Sequence, residues 1–423
     1  MHILYVSDVY FPRVNGVSTS IQTFRRELGQ LGHETTLVAP AYPPPCVDQP
    51  GILRVASRYV PLDPEDRAMR WGPVKRLGDA LAATRFDLIH IHTPFVAHYA
   101  GLRLARRWGI PVIATYHTLF EEYLAHYVPF APRRVMRALA RRFSRSQCNT
   151  LDAVVVPSTA MRETLERYGV TTRVEIVPTG IPLLEFSGGN GGRFRADQGI
   201  PPSQPVLAYV GRVAFEKNIE FLLRAFVLVR HSVPDGLLIV CGEGPALPRL
   251  RRLASDLGLA EAVRFVGYLE RTTRLLDCYR AADALVFASR TETQGLVLLE
   301  AMALGVPVVS TAVMGTRDVV GPGRGALVAE DDERDFAAKA VRLLRDPALR
   351  ERLAEEGREY ARSWSAETLA KRLEGVYRSL LERDQSCADH APAKRPIACA
   401  PWRRRSGQSP SPPRKSRAGR SGE

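Results

Sequence analysis

Residues 284–311 read ALVFASRTETQGLVLLEAMALGVPVVST, and the change of period along this string decides the fold. Ala284–Ser289 is a short apolar run that reads as a buried strand. Glu292 follows in a polar loop. A helix is expected from near Gly295 to Gly305, and Pro307 then opens a second apolar run through Thr311. Strand, loop, helix and strand in one stretch make a βαβ unit, which requires a parallel sheet. Glu292 and Glu300 are separated by seven residues. Gly295 at the helix start lets a ligand approach exposed backbone N–H groups, which favour phosphate. A carboxylate does not bind phosphate, but it accepts hydrogen bonds from hydroxyls. Glu292 ahead of the helix and Glu300 in its second turn could therefore serve one extended ligand, one at a sugar and one at a ribose. Two acids alone are equally well explained by a helix-capping loop and an ordinary surface Glu; the whole string favours the ligand.

The same alternation extends in both directions. Upstream, HILYVS, TTLVAP, DLIHIH, VIATYH, AVVVPS and VEIVPT read as strands, with Ile21, Phe24, Leu28 and Leu31 at helical spacing between the first two. EFSGGNGGRFRADQGIPPSQP, dense in Gly and Pro, reads as the inter-domain linker and the entry to the second domain. The pattern then restarts with PVLAYVG, LLIVCG, VRFVG, ALVFAS, PVVST and GALVA. Glu333 to about Arg362 reads as helical, and Trp364 to Glu382 as a further helix. The expected organisation is α/β, with two Rossmann-like parallel-sheet domains facing a central cleft. The segments are 1–182, a linker 183–204, 205–363, a terminal helix 364–385 and a tail 386–423. A chain of 423 residues suits two or three domains. Ligands of such sheets bind outside the carboxyl ends of the strands, where every motif described here falls.

Arg212 and Lys217 follow the strand PVLAYVG. Two cations there could neutralise a diphosphate, or could simply be solvated charges at a helix start. Asn15-Gly16 marks a turn after the first strand, and Ser18 is a plausible N-cap for the next helix. His117 ends the strand VIATYH. His90 and His92 alternate on DLIHIH and share a face, but a metal site would need a third ligand, and none is evident.

The string Thr291–Val309, T-E-T-Q-G-L-V-L-L-E-A-M-A-L-G-V-P-V-V, resembles the E-x7-E signature of the retaining glycosyltransferases of family 4, which have the GT-B fold. The resemblance covers roughly residues 1–382. Many members carry Gly-Phe-Gly-Leu after the first Glu, where this chain has Thr293-Gln294-Gly295-Leu296. The resemblance implies that a hexose moves from a nucleotide diphosphate, UDP-glucose or GDP-mannose, to an acceptor with retention of configuration. It implies a donor site of Gly16, Arg212, Lys217, Glu292, Thr293, Gln294, Gly295, Leu296, Val297 and Glu300. Within it, Arg212 and Lys217 would hold the diphosphate, Glu292 the hexose, Glu300 the ribose and His117 the hexose from the first domain. The terminal helix would cross back to that domain. No D-x-D sequence occurs, so no metal or other cofactor is expected; the nucleotide-sugar is a substrate.

The charge pattern bears on the acceptor. Tyr123 to Asn149 carries Arg133, Arg134, Arg137, Arg141, Arg142 and Arg145 without an acid. Val135, Met136, Leu139 and Phe143 recur at helical spacing. Such a basic amphipathic helix lies on an anionic membrane surface, or else packs its apolar face into the core and leaves the arginines solvated. The string Y-H-T-L-F-E-E-Y-L-A-H-Y resembles the bacterial branch that glycosylates diacylglycerol-type lipids. A membrane lipid is therefore the expected acceptor, and a soluble or lipopolysaccharide-type saccharide the alternative.

The net charge is +14. Half of it lies in residues 386–423, where Lys394, Arg395, Arg403, Arg404, Arg405, Arg414, Lys415, Arg417 and Arg420 face only Asp389 and Glu423. That tail, rich in Pro, Ser and Gly, is expected to be disordered. Its charge invites a nucleic-acid reading, but no nucleic-acid module is recognisable, so no nucleic-acid partner is expected. A nucleotide-sugar epimerase on the same fold is a third rival, which the E-x7-E string opposes. The six cysteines form no C-x-x-C pair, and the start MHILYVSDVYFP lacks a basic n-region. Both fit a cytoplasmic protein, peripheral on the inner face of the membrane.

Overall fold

The computed structural model describes residues 1–43, 49–60, 63–117 and 133–390. The strands are β1 (His2–Val6), β2 (Glu34–Pro40), β3 (Ile52–Val55), β4 (Ser57–Val60), β5 (Asp63–Met69), β6 (Leu88–Ile91), β7 (Val112–Thr115), β8 (Ala153–Val156) and β9 (Val174–Ile176). They continue with β10 (Val206–Val210), β11 (Leu237–Cys241), β12 (Val263–Gly267), β13 (Ala284–Phe287), β14 (Val308–Thr311) and β15 (Ala326–Ala329). A seven-stranded sheet has the order β3-β2-β1-β6-β7-β8-β9, and a six-stranded sheet the order β12-β11-β10-β13-β14-β15. Every pairing in both is parallel. A strand covered by helices on both faces must be apolar on both, which is why VLAYV and LLIVC are buried throughout. Within β1, Leu4 and Val6 join the core on one face of the sheet, and Ile3 and Tyr5 the core on the other. The antiparallel pair β4–β5 and β3 at the sheet edge are the strands that the apolar runs did not signal.

The parallel α/β architecture read from the sequence is present. In three places the elements differ from the reading. Residues 183–204 are no free linker. Phe186, Phe194 and Ile200 are buried in the second domain's core, and a helix spans Gly191–Asp197. The glycines there permit close packing: a Cβ on Gly191 would lie 2.2 Å from the Arg280 carbonyl oxygen of the helix Arg274–Ala281. The stretch 333–362 is two helices, Glu333–Arg345 and Pro347–Arg362. Asp346 caps the second through the Leu349 N–H at 2.9 Å, and Pro347 occupies its first turn, where no N–H is needed. The terminal helix runs from Ala366 to His390, so it enters the span read as tail; residues 391–423 of that tail lie outside the described residues.

Leu369, Leu373, Val376 and Leu380 of the terminal helix recur every three or four residues. They pack into the first domain's core beside Tyr5, Phe24 and Leu28. The chain thus leaves the first domain near Val177 and returns to it after Trp364. The helices that follow β8 and β14, Thr159–Arg167 and Thr316–Val320, touch: the Thr159 N–H donates to Asp318 Oδ2 at 2.6 Å, and Arg317 pairs with Glu163 at 2.9 Å. The carboxyl edges of the two sheets therefore face each other. Among the described residues, no helix is long and apolar enough to cross a membrane.

Candidate active site

Strand order reverses at β1/β6 in one sheet and at β10/β13 in the other. Chains leaving adjacent strands diverge there to opposite faces and leave a crevice. Gly16 follows β1 and His92 follows β6. Arg212 and Lys217 follow β10, and the Glu292 loop follows β13. The topology thus brings these groups to the two crevices that face each other.

On the second domain's rim, Lys217 ends a 3-10 turn, Phe215–Lys217. Its Nζ lies 2.5 Å from Glu292 Oε2, so two groups 75 residues apart meet. The loop between β13 and its helix is held by the Asn218 side chain, which donates to the Ala288 carbonyl at 3.1 Å, and by the Gly315 N–H, which donates to the Glu292 carbonyl at 2.9 Å. Arg212 is exposed and has no ion pair among the described residues. Its carbonyl accepts the Tyr209 hydroxyl at 3.0 Å. Burial, with Glu292 nearby, pushes the Tyr209 phenol well above its ordinary pKa and keeps it neutral. A helix spans Leu296–Ala303 with Gly295 before it, and no side chain caps its start. First-turn N–H groups left without a side-chain cap suit an anion. Leu296 and Val297 pack against the domain core, so what they offer a ligand is backbone. Thr293 is half-buried.

Glu300 is placed otherwise than an open ligand would need. It is 1% exposed. One carboxylate oxygen accepts from Arg271 Nη2 and the other from the Tyr279 hydroxyl at 2.9 Å. Glu300 beside Arg271 raises the guanidinium pKa. Burial, then the Glu300 charge, pushes the Tyr279 phenol well up. Arg271, the more exposed of its two partners, already occupies one carboxylate oxygen. Arg271 and Tyr279 carry no motif, and the sequence reading missed both. Gln294 is 5% exposed, and its carboxamide bonds the backbone of Thr179 rather than opening to the cleft.

On the first domain's rim, Gly16 opens the helix Gly16–Gln30. The N-cap is Asn15, whose side chain accepts from the Ser18 N–H at 2.9 Å; Ser18 is not the cap. It sits inside the first turn, where its buried hydroxyl lacks a partner among the described residues. A Cβ on Gly16 would meet nothing within 4 Å, so the backbone there is open to a ligand. His117 Nε2 lies 3.2 Å from His92 Nδ1. His92 stacks on His90 with ring centroids 4.2 Å apart. His90 bonds Thr115 Oγ1 at 2.7 Å and the Tyr377 hydroxyl of the terminal helix at 2.6 Å. Burial pushes His117 down to about 4 and His90 and His92 well below 6.5. All three rings are neutral near pH 7 and act as hydrogen-bonding groups, not charges. Among the described residues, no group of three His, Cys, Asp or Glu side chains could hold a metal ion.

The helix Arg133–Cys148 stands beside this rim. Ala140, Ser144, Gln147 and Cys148 form its buried side. Ser144 Oγ meets the Tyr116 hydroxyl at 2.7 Å, and Gln147 donates to the Pro94 carbonyl. Val135 and Leu139 are 52% and 53% exposed among the arginines. The apolar residues read as one face are therefore divided, with Met136 and Phe143 half-buried. Residues 118–132, which include most of the lipid-branch string, lie outside the described residues.

Comparison with known proteins agrees with this geometry. Residues 14–183 match the model of Glycosyltransferase Family 4, and residues 192–360 that of Glycosyl transferases group 1. The chain is 33% identical over 324 residues to an alpha-monoglucosyldiacylglycerol synthase of Streptococcus pneumoniae, covering 73% of this chain and 71% of that one. It is 34% identical to D-inositol 3-phosphate glycosyltransferase 2 of Catenulispora acidiphila, covering 84% and 88%. Sucrose-phosphate synthase from Thermosynechococcus elongatus superposes with a TM-score of 0.74 at 23% identity, covering 90% of this chain and all of that one, a likeness of fold.

Proposed function

The chain belongs to glycosyltransferase family 4, and from that premise we propose that it transfers a hexose from UDP-glucose or GDP-mannose to a diacylglycerol-type membrane lipid with retention of anomeric configuration. The observation that carries the donor half is the Lys217–Glu292 pair, which joins the segments after β10 and β13, with exposed Arg212 on the first segment and an uncapped helix start on the second. In transfer, the bond from the anomeric carbon to the diphosphate oxygen breaks and negative charge grows on that oxygen. Arg212, Lys217 and the N–H groups at Gly295–Val297 stabilise that charge in place of a metal. Glu292 turns a free carboxylate oxygen to hexose hydroxyls, and neutral His117 bonds the hexose from the other rim. The acceptor oxygen bonds the anomeric carbon on the face the diphosphate leaves. Its proton passes to the departing phosphoryl oxygen, which balances the step without a side-chain nucleophile.

For the acceptor, exposed Val135 and Leu139 among Arg134, Arg137 and Arg142 favour attachment to an anionic bilayer surface over packing in a core. The name of the Streptococcus relative supports a diacylglycerol acceptor. That of the Catenulispora relative keeps a water-soluble acceptor as the second reading. The test is nucleotide release from UDP-glucose, UDP-galactose and GDP-mannose, with and without diacylglycerol vesicles. Proton coupling at the product's anomeric centre reads the configuration. Release stimulated by vesicles with an α-linked glycolipid product is expected. Transfer only to soluble acceptors, or an inverted product, would overturn the reading.

A further inference from the structure

Gln294 occupies a position in the Glu292 loop where many family members carry Phe, yet its side chain is buried against the backbone of Thr179. Its Oε1 accepts the Thr179 N–H at 2.8 Å, and its Nε2 donates to the Thr179 carbonyl at 2.7 Å. One backbone N–H and one carbonyl fix which end of the amide is which. Thr179 is itself 5% exposed and lies in the segment by which the chain leaves the first domain. Its Oγ1 meets Ser20 Oγ at 2.8 Å, on the helix that Gly16 opens. The next residues bind the returning chain: the Ile181 N–H donates to the Trp364 carbonyl and the Ala366 N–H to the Ile181 carbonyl, both at 2.9 Å. A Cβ on Gly180 would lie 2.4 Å from Ala366 Cα, so the two crossings touch through backbone. Both polar ends of a buried carboxamide are thus satisfied by this double crossing between the domains, termed the hinge. An apolar residue at 294 would leave the Thr179 backbone groups buried and unpaired.

We propose that Gln294 is a positioning residue, which ties the Glu292 loop to the hinge at Thr179 and, through Ser20, to the Gly16 helix. The group that holds the hexose and the backbone that approaches it from the other rim then keep one relative placement. The inference rests on the proposed transfer only for its kinetic arm.

The variants are Gln294→Leu, Thr179→Val and Ser20→Ala. Thr179→Val keeps both backbone bonds and removes only the link to Ser20. Gln294→Leu should lower kcat about 10- to 100-fold, while KM for the donor and the Kd of the product nucleotide stay within a few-fold. Ser20→Ala added to Gln294→Leu should cost little more, because both cut one path. A donor-ligand role would instead raise KM and the nucleotide Kd with kcat unchanged, and would overturn the proposal. So would unchanged kinetics in Gln294→Leu.

Hydrogen exchange supplies the arm that does not need transfer. In Gln294→Leu, exchange should quicken in residues 177–181 and also in 16–24, while β10 and β11 remain as in the parent. Faster exchange confined to 177–181 would show that nothing passes to the Gly16 helix and would overturn the bridge. If the parent protein transfers no hexose, the proposed function fails and the exchange pattern alone decides the bridge.

Discussion

The two rims of the cleft are built from different chemistry. The second domain's rim is ionic, with Arg212, Lys217 and Glu292, and with Glu300 held between Arg271 and Tyr279. The first domain's rim is neutral, with His117, His92 and His90 in one stacked, hydrogen-bonded row and an open Gly16. The difference suits what the proposed transfer asks of each rim. A leaving diphosphate carries charge and is stabilised by fixed cations. A hexose and an incoming hydroxyl carry none, and a buried charge beside them would be costly without a partner. Burial achieves the second condition without any special residue, because it keeps three imidazoles unprotonated.

The largest effect expected on either rim is at the membrane. Changing Arg134, Arg137 and Arg141 together to Glu should reduce binding to anionic vesicles by about two powers of ten or more, at roughly 1 kcal/mol for each cation removed near the surface. Nucleotide binding on the ionic rim should be unchanged. Co-sedimentation at rising salt is the measurement, and undiminished vesicle binding would remove the helix Arg133–Cys148 from the surface. On the ionic rim, Glu292→Gln should slow transfer about 10- to 100-fold with the fold intact, for one charge-assisted hydrogen bond of about 1.5–3 kcal/mol. Turnover near that of the parent with every donor would exclude Glu292 from hexose binding.

Tyr377→Phe reaches the neutral rim from behind. It removes the hydroxyl between Tyr5 and His90 and should cost about 1–3 kcal/mol of stability in denaturant melts, with a smaller effect on transfer. A collapse of transfer at full stability would mean that the row does more than hold His117 in place.

Acid separates the rims further. His90, His92, His98 and His117 are neutral in the folded protein because burial depresses them, His98 and His117 to about 4. Unfolded, each takes a proton below about 6.5. Their contribution is present above that value and is lost as pH falls toward 4. Asp8, raised to about 6 by burial, has the opposite sign: its protonated folded form gains stability as pH falls through 6. Four groups outweigh one, so the melting temperature should drop between pH 6.5 and 4.5. A rise would place charge on the row. Chelation should have the smallest effect of all. With the diphosphate neutralised by Arg212, Lys217 and helix N–H groups, transfer should continue in EDTA; loss restored by Mg²⁺ or Mn²⁺ would overturn the metal-free reading.

Much of this architecture is legible in the order of residues alone. The strands of both parallel sheets other than β3 follow from apolar runs at strand length, because a strand buried on two faces has no polar alternation to hide it. β3 escapes such a reading because an edge strand buries too little to leave a long apolar run, and the pair β4–β5, SRYV and DPEDRAM, contains none. The segment 183–204 reads as a linker because glycine has two uses, freedom and close approach, and composition cannot tell them apart. Glu292, Lys217, Arg212 and Gly16 can be named from their places after strands. The roles expected of Gln294 and Glu300 assume open carboxamide and carboxylate groups, which the structure shows already bonded.

The sequence by itself determined the periodicity, hence two parallel sheets, and the motif that places carboxylates and cations at their carboxyl ends. Only the tertiary structure decided which partner each polar group takes. Lys217 meets Glu292 across 75 positions, Gln294 meets Thr179 across 115, and His90 meets Tyr377 across 287. Period and propensity record how each residue relates to its near neighbours and to burial. A hydrogen bond between distant residues is fixed only when the packed sheets and the two crossings of the chain at the hinge bring its donor and acceptor within about 3 Å.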